Sequence, residues 1–180
     1  AAPGGKSTQI AALTGDRGLL WSNEVVRSRA SALASNLERM GVKNAVVSSV
    51  YPEVLAEKLE GYFDRVLVDA PCSGEGMFRR DPQAIAEWSP AHVEACAARQ
   101  LAILGSAARC VREGGVLVYS PCTFSEEENE GVVRAFLREN PGFVLEKPDV
   151  AFGRPAYGVD AVRIFPMDGG EGHFAARFRR

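Results

Sequence analysis

The sequence is poor in the residues from which metal sites and disulfide frameworks are built. It holds two histidines and four cysteines in 180 residues, and no two cysteines stand in a C-x-x-C spacing. That pattern argues against a metal site and against a stapled secreted scaffold. Cysteines left as thiols suit a reducing compartment, and the expected setting is cytoplasmic. No apolar run approaches the roughly 20 residues of a membrane-spanning helix, so no membrane partner is expected. Charge of one sign is lacking too: 21 Lys and Arg against 23 Asp and Glu leave a net charge of −2. Contact with nucleic acid must then come from local basic patches or from parts of the protein beyond this chain. Repeats and low-complexity segments are absent, and no methionine opens the chain: Ala1 lies inside a motif, so the sequence reads as part of a longer enzyme.

What is present is the composition of a globular domain, 46% apolar and 24% charged, with length for one domain over residues 1–180. Short apolar runs alternate with helical periodicity. Strands are expected at Gly18-Leu-Leu-Trp-Ser22, Ala45-Val-Val47, Val66-Leu-Val68 and Val116-Leu-Val-Tyr119. Between them, Val26, Ala30, Leu33, Leu37 and Met40 recur at steps of four and three, and Gly41 ends that helix. Ser89 and Pro90 open a longer one, with a seam of Val93, Ala97, Leu101, Leu104, Ala108 and Val111. Cys96 and Cys110 lie on a second stripe of it, as core residues do. Ser125 and Glu128 have capping-box spacing before Val132, Val133, Phe136 and Leu137. The tail reads as further strands, at 143–145, 162–165 and 175–178. Strand–helix alternation of this kind gives an α/β fold, a mostly parallel sheet with helices on both faces.

In such folds ligands sit beyond the carboxyl ends of the strands, and those ends carry the unusual residues. Val66-Leu-Val68 runs into Asp69-Ala-Pro-Cys-Ser-Gly-Glu-Gly76, where Pro71 interrupts the ladder and Gly74 and Gly76 allow close backbone approach. The strand at 116–119 runs into Ser120-Pro-Cys-Thr123, a second Pro-Cys pair at a second strand end. If these strands are neighbours, their thiols can converge, because adjacent strands lie about 4.8 Å apart. Arg79 and Arg80 follow the first loop and could meet phosphates.

Ala1-Ala-Pro-Gly-Gly-Lys-Ser-Thr8 is a glycine turn into a helix, a geometry that offers backbone N–H groups to a carboxylate or phosphate. Two readings compete at this turn. Gly5-Lys6-Ser7 is the back half of a P-loop, with Val66-Leu-Val-Asp69 as the magnesium-binding strand of a nucleotide hydrolase. That reading gives no reason for two Pro-Cys strand ends. The other is the cofactor loop of a methyltransferase, with Glu24, about 20 residues on, placed for a ribose diol. A third reading makes the chain a non-catalytic RNA-binding fragment.

Taken together, Ala1-Ala-Pro-Gly-Gly-Lys6, Asp69-Ala-Pro-Cys-Ser-Gly-Glu-Gly76, Tyr119-Ser-Pro-Cys-Thr123 and Gly170-Glu-Gly-His-Phe174 resemble the Nop/Sun family of RNA cytosine-5 methyltransferases, particularly its bacterial ribosomal-RNA branch. The resemblance implies a Rossmann-like domain, here without its first strand, that uses S-adenosyl-L-methionine. It implies that Ala2, Pro3, Gly4, Gly5, Lys6 and Glu24 lie against the cofactor, with Asp69 facing both it and the target cytosine. Cys122 would attack the base and Cys72 would assist product release. The implied substrate is RNA, ribosomal in preference to transfer RNA. Pro121 stands where family members usually have threonine, and Ser48-Ser-Val-Tyr51 lacks the acid that often meets the adenine.

Overall fold

The computed structural model describes residues 1–15 and 17–180, which form two compact units, Ala1–Val54 and Leu55–Arg180. In the first unit helix α1 (Gly5–Thr14) is followed by strand β1 (Leu20–Asn23), helix α2 (Arg27–Arg39) and strand β2 (Ala45–Ser48). β1 and β2 pair in parallel with Leu20 opposite Ala45 and Asn23 opposite Ser48, and α2 is the crossover such a pair requires. α2 buries Ala30, Leu33 and Leu37. Met40, expected on the same seam, is exposed because the helix has already ended. The Gly41 N–H bonds the Glu38 carbonyl, the Val42 N–H bonds that of Leu37, and Gly41 takes φ +70°. This is a Schellman stop, for which glycine is suited. Helix α3 (Pro52–Lys58) follows, with proline at its first position.

The second unit is built on strand β3 (Phe63–Val68), helices α4 (Pro82–Glu87) and α5 (Pro90–Cys110), strand β4 (Val111–Tyr119), helix α6 (Val132–Glu139), and strands β5 (Val144–Glu146), β6 (Arg154–Pro155), β7 (Val162–Ile164) and β8 (His173–Arg179). The sheet runs β3-β4-β8-β7-β6, with β5 also on β8. β3 and β4, joined through α5, are parallel, with Val66 opposite Leu117 and Val68 opposite Tyr119. β8 lies antiparallel to β4, β5 and β7. The sheet is therefore mixed: parallel where a helical crossover intervenes, antiparallel where the β7–β8 connection is too short for one.

α5 starts as its sequence implies, the Ser89 hydroxyl accepting the His92 N–H at 3.1 Å with Pro90 at the first position. Its buried face holds Val93, Cys96, Gln100, Leu104 and Ala108, whereas Ala97 and Leu101 are half-buried. Val111, expected as the last turn of this seam, already belongs to β4. Leu67, expected in a buried run, is 38% exposed, since alternation along β3 turns Val66 and Val68 to the α5 side and Leu67 away. The core gathers Leu104, Leu117, Val133, Phe136, Phe174 and Phe178, all fully buried. Phe136 meets Phe143 and Phe178 edge-to-face, at centroid distances of 5.3 and 4.8 Å. Among the described residues no helix is long and apolar enough to cross a membrane.

Phe136→Ala should lower stability by about 3–5 kcal/mol, through lost burial and the cavity it leaves. Val144→Ala, at an exposed site, should stay within about 0.5 kcal/mol. Urea denaturation midpoints compare the two, and equal costs would contradict this placement of the core.

Candidate functional site

In the first unit, the candidate loop is drawn together by Glu24. The carboxylate follows β1 and is 7% exposed. One oxygen accepts from the nitrogens of Ala1 and Ala2, each at 3.0 Å, and the other from the Val26 N–H at 3.2 Å. Burial pushes this carboxyl up, but the hydrogen bonds it accepts, from the Ala2 N–H first and from the Val26 N–H, hold it below the usual carboxylate range. Glu24 thus stays ionised at neutral pH and pins the loop. Ala2–Pro3 is a cis peptide. The carbonyls of Ala2 and Pro3 accept from the side chains of Arg29 and Asn36, at 3.0 and 2.8 Å. Gly4 is left-handed at φ +115°, and a Cβ there would lie 3.0 Å from the Leu33 side chain. Only glycine suits that position. α1 begins at Gly5 with no side-chain cap and no acid in its first turn, so its leading N–H groups can receive a ligand carboxylate or phosphate. Lys6 is half-buried in that first turn. Ser7 is buried, its hydroxyl accepting that of Ser22 at 3.0 Å.

In the second unit the two Pro-Cys strand ends meet. β3 and β4 finish side by side, the Ser120 N–H bonding the Val68 carbonyl at 3.0 Å. The chains then turn toward each other. The Cys72 and Cys122 sulfurs lie 3.1 Å apart, and the Cys72 thiol also reaches the Cys122 carbonyl at 3.5 Å. The hydrogen bond to Cys122, followed by burial, pushes the Cys72 thiol well above its usual range. Asp69, directly after β3, is exposed.

Beneath the thiols lies a polar frame that sequence reasoning missed. Glu128 is fully buried. Its carboxylate accepts from the Ser73 N–H (2.9 Å), the Gln100 amide (2.6 Å) and the Thr123 hydroxyl (3.1 Å). It therefore holds the residue after each cysteine. The capping box expected from Ser125 and Glu128 does not form: the Glu128 side chain points inward, and Ser125 caps with its hydroxyl while donating it to Glu127. The local geometry is a π-helical turn, Glu127–Gly131, leading into α6. Gln100 also donates to the Pro71 carbonyl at 2.9 Å and accepts from Tyr119 at 2.9 Å. Burial, then the charge of Glu128, pushes the Tyr119 hydroxyl far up, so it remains a donor. Glu75 makes a second bridge, accepting from the Phe124 N–H (2.9 Å), the Thr123 hydroxyl (3.1 Å) and the Trp88 indole (2.8 Å).

The 170–174 turn closes the frame from another side. The Gly76 N–H bonds the Cys122 carbonyl at 3.1 Å, and a Cβ on Gly76 would fall 2.5 Å from the Gly172 carbonyl. Glu130, also fully buried, pairs with Arg163, whose guanidinium reaches the Phe124 carbonyl at 2.8 Å and lies over the Tyr157 ring. Arg79 is exposed, while Arg80 is paired with Glu171 at 2.8 Å. His92, half-buried, sits 3.6 Å from the Cys96 sulfur. Among the described residues no three of His, Cys, Asp and Glu gather as a metal ion would need.

Two outcomes follow from this frame. Glu128→Ala strands two buried donors, the Ser73 N–H and one Gln100 amide hydrogen, while the Thr123 hydroxyl keeps Glu75. At about 1–3 kcal/mol each, a loss of about 2 kcal/mol or more is expected in denaturant unfolding, and a loss under about 1 kcal/mol would show that the frame carries little. The raised Cys72 thiol should be alkylated by iodoacetamide between pH 7 and 9 more slowly than an ordinary thiol with a pKa of about 8.5. Cys122→Ala removes the leading cause and should speed it, as peptide mass spectrometry would record. Identical rates in both proteins would contradict the coupling.

The family model described as 16S rRNA methyltransferase RsmB/F matches residues 1–179. Ribosomal RNA small subunit methyltransferase F of Erwinia tasmaniensis is 42% identical over 185 residues, covering 100% of this chain and 39% of the relative. The protein of the same name from Vibrio vulnificus is 41% identical over 189 residues, with the same coverage of 100% and 39%. The chain thus spans about two fifths of the length of the curated relatives it matches. The crystal structure of NSun6 from Pyrococcus horikoshii, solved with SFG, aligns at TM-score 0.87 and 35% identity, over 99% of this chain and 46% of that one. A methyltransferase homolog protein from the same organism aligns at TM-score 0.81 and 30% identity, over 100% of this chain and 59% of that one. These likenesses carry the α/β methyltransferase fold over the whole chain, and with the family match they establish that the chain belongs to the 16S rRNA methyltransferase RsmB/F family.

Proposed function

We propose that residues 1–180 are the catalytic domain of an enzyme that moves a methyl group from S-adenosyl-L-methionine to carbon 5 of a cytosine in RNA. The RNA is ribosomal in preference to transfer RNA, in keeping with the names of the relatives. The observation that carries the reading is the 3.1 Å contact of two thiols, each at the end of one of two paired parallel strands.

Carbon 5 of cytosine is a poor nucleophile. Sulfur addition at carbon 6 makes an enamine whose carbon 5 can be methylated, so one hard step becomes two easier ones. In this reading Cys122 adds to carbon 6. The Cys72 thiol, pushed up by its hydrogen bond to Cys122 and by burial, stays the protonated member of the pair beside the attacking sulfur. Asp69, exposed beyond β3, orients the base at its ring nitrogen and amine and steadies charge during addition. After methylation a base takes the carbon 5 proton, the C–H electrons restore the 5,6 double bond, and the Cys122–carbon bond breaks to free the sulfur; Cys72, beside that sulfur, assists the release.

The residues of the first unit fit the cofactor. When bound, it supplies an electrophilic methyl on a sulfonium. The leading N–H groups of α1 at Gly5 and Lys6 suit its carboxylate, and left-handed Gly4, with Ala2 and Pro3, leaves backbone room for it. Glu24 spends two acceptor positions on the loop and one on the Val26 N–H, and keeps capacity on the oxygen facing Val26 for a ribose hydroxyl. The nucleotide-hydrolase alternative loses support at Ser7, whose hydroxyl would be needed at a magnesium ion but is buried against Ser22. A purely RNA-binding fragment would have no use for two thiols in contact. Arg79 remains available for a phosphate, whereas Arg80 is engaged with Glu171. A cytoplasmic setting accords with cysteines that are all thiols.

In the full-length protein, Cys122→Ala should abolish methyl transfer from labelled S-adenosyl-L-methionine to RNA and abolish the covalent protein–RNA adduct. Cys72→Ala should still attack but stall, accumulating an adduct that survives denaturing electrophoresis. Accumulation in Cys122→Ala, with none in Cys72→Ala, would reverse the roles.

A further inference from the structure

We infer that Cys72 and Cys122 are also a reversible oxidation site: a hydroperoxide converts this thiol pair into a disulfide that closes the site. Three features of the geometry lead there. The sulfurs are already 3.1 Å apart, so about 1 Å of approach reaches the length of a disulfide, about 2.05 Å. The loops that carry them are held at fixed points on either side, by Glu128 on Ser73 and Thr123 and by Glu75 on Thr123 and Phe124. The sulfurs are thus kept in contact rather than meeting by chance. Both cysteines are half-buried, within reach of a small oxidant, whereas Cys96 and Cys110 are buried and lie elsewhere on α5.

The chemistry balances. The Cys122 sulfur attacks one oxygen of hydrogen peroxide, the O–O bond breaks, and one water leaves with the thiol proton, giving a sulfenic acid. The Cys72 sulfur then attacks the Cys122 sulfur, the S–O bond breaks, and the hydroxyl departs as a second water with the Cys72 proton. Two thiols lose two electrons and the peroxide becomes two waters. A dithiol such as dithiothreitol reverses the bond by exchange. A second thiol in contact also diverts the sulfenic acid from further, irreversible oxidation. The consequence for activity rests on the proposed role of Cys122 as nucleophile: a sulfur bound to Cys72 cannot add to carbon 6.

The test treats the reduced full-length protein with a small excess of hydrogen peroxide, blocks remaining thiols with N-ethylmaleimide, and maps peptides by mass spectrometry without reduction. A cross-linked pair of peptides containing Cys72 and Cys122, 2 Da lighter than the two thiols, is expected, while Cys96 and Cys110 remain alkylatable after denaturation. Dithiothreitol should return both thiols. In Cys72→Ser the cross-link should vanish and Cys122 should accumulate as sulfinic acid. Recovery of Cys72 and Cys122 in the oxidised wild type as separate thiols, or as separate sulfinic acids, would overturn the inference. Methyl transfer measured on the same samples separates the two readings. Loss with oxidation and return with dithiothreitol support both. A complete cross-link with methyl transfer intact would uphold the oxidation site and overturn Cys122 as nucleophile.

Discussion

The arrangement of the second unit depends on one buried carboxylate. Glu128 has given up water entirely, and desolvating a carboxylate costs several kcal/mol unless hydrogen bonds replace it. The replacements are neutral donors: a backbone N–H from the loop after β3, a hydroxyl from the loop after β4, and an amide from α5. Satisfying the charge therefore requires all three segments to be present and in register. The thiols ride on two of them, one residue before each bonded position. The distance between two sulfurs on irregular backbone is thereby set by a residue that touches neither. Two positions on, Glu130 solves the same problem differently, with the Arg163 guanidinium as partner.

The helix that supplies both acids explains why they can point inward together. Residues 128, 129 and 130 are all fully buried, which a surface helix with one apolar stripe does not allow. The widened turn at Glu127–Gly131 lies sunk against α5 and the cysteine loops: Glu128 and Asn129 both bond Thr123, Glu128 also bonds Ser73 and Gln100, and Glu130 turns to Arg163. Departures of this kind concentrate at functional sites. They tolerate irregular backbone because side chains, not a helical ladder, satisfy the surrounding polar groups. Only after Gly131 does the ordinary amphipathic pattern of α6 resume, with Val132, Val133 and Phe136 in the core.

That contrast sets what could be read from the sequence. The strand ends were legible, because Asp69 with Pro71 and Ser120 with Pro121 interrupt apolar runs by local stereochemistry, and parallel pairing of β3 with β4 then places the cysteines side by side. The start of α5 and the stop of α2 were legible for the same reason: Ser89, Pro90 and Gly41 act on backbone within a few residues. Glu128 was not. A serine followed three residues later by glutamate is the spacing of a capping box, and nothing nearby tells it from a buried bridge. What decides is Ser73, 55 residues away. Gln100 was masked similarly, a polar residue on a helix whose apolar seam shifts by one position to accommodate it. Arg163 lies in a tail whose pattern gives strands but not which cation is buried.

Hydrogen bonds from side chains can fix loops only if the backbones approach closely enough, and glycine permits that approach. Gly76 lies against the carbonyls of Gly172, Cys122 and Glu171, and Gly172, at φ +105°, lies against the Phe124 ring. Side chains at either position would drive the cysteine loops and the 170–174 turn apart, and the N–H of Gly76 would lose the Cys122 carbonyl. The glycines therefore determine how near the loops come, and the buried acids determine where they stop. In the first unit the same division recurs on a smaller scale: Gly4 admits the turn against Leu33, and Glu24 ties it in place. Holding the two thiols in contact needs both halves of that device: side chains at the glycines would keep the loops apart, and without the buried acids the loops would lose the bonds that fix the sulfurs 3.1 Å from each other.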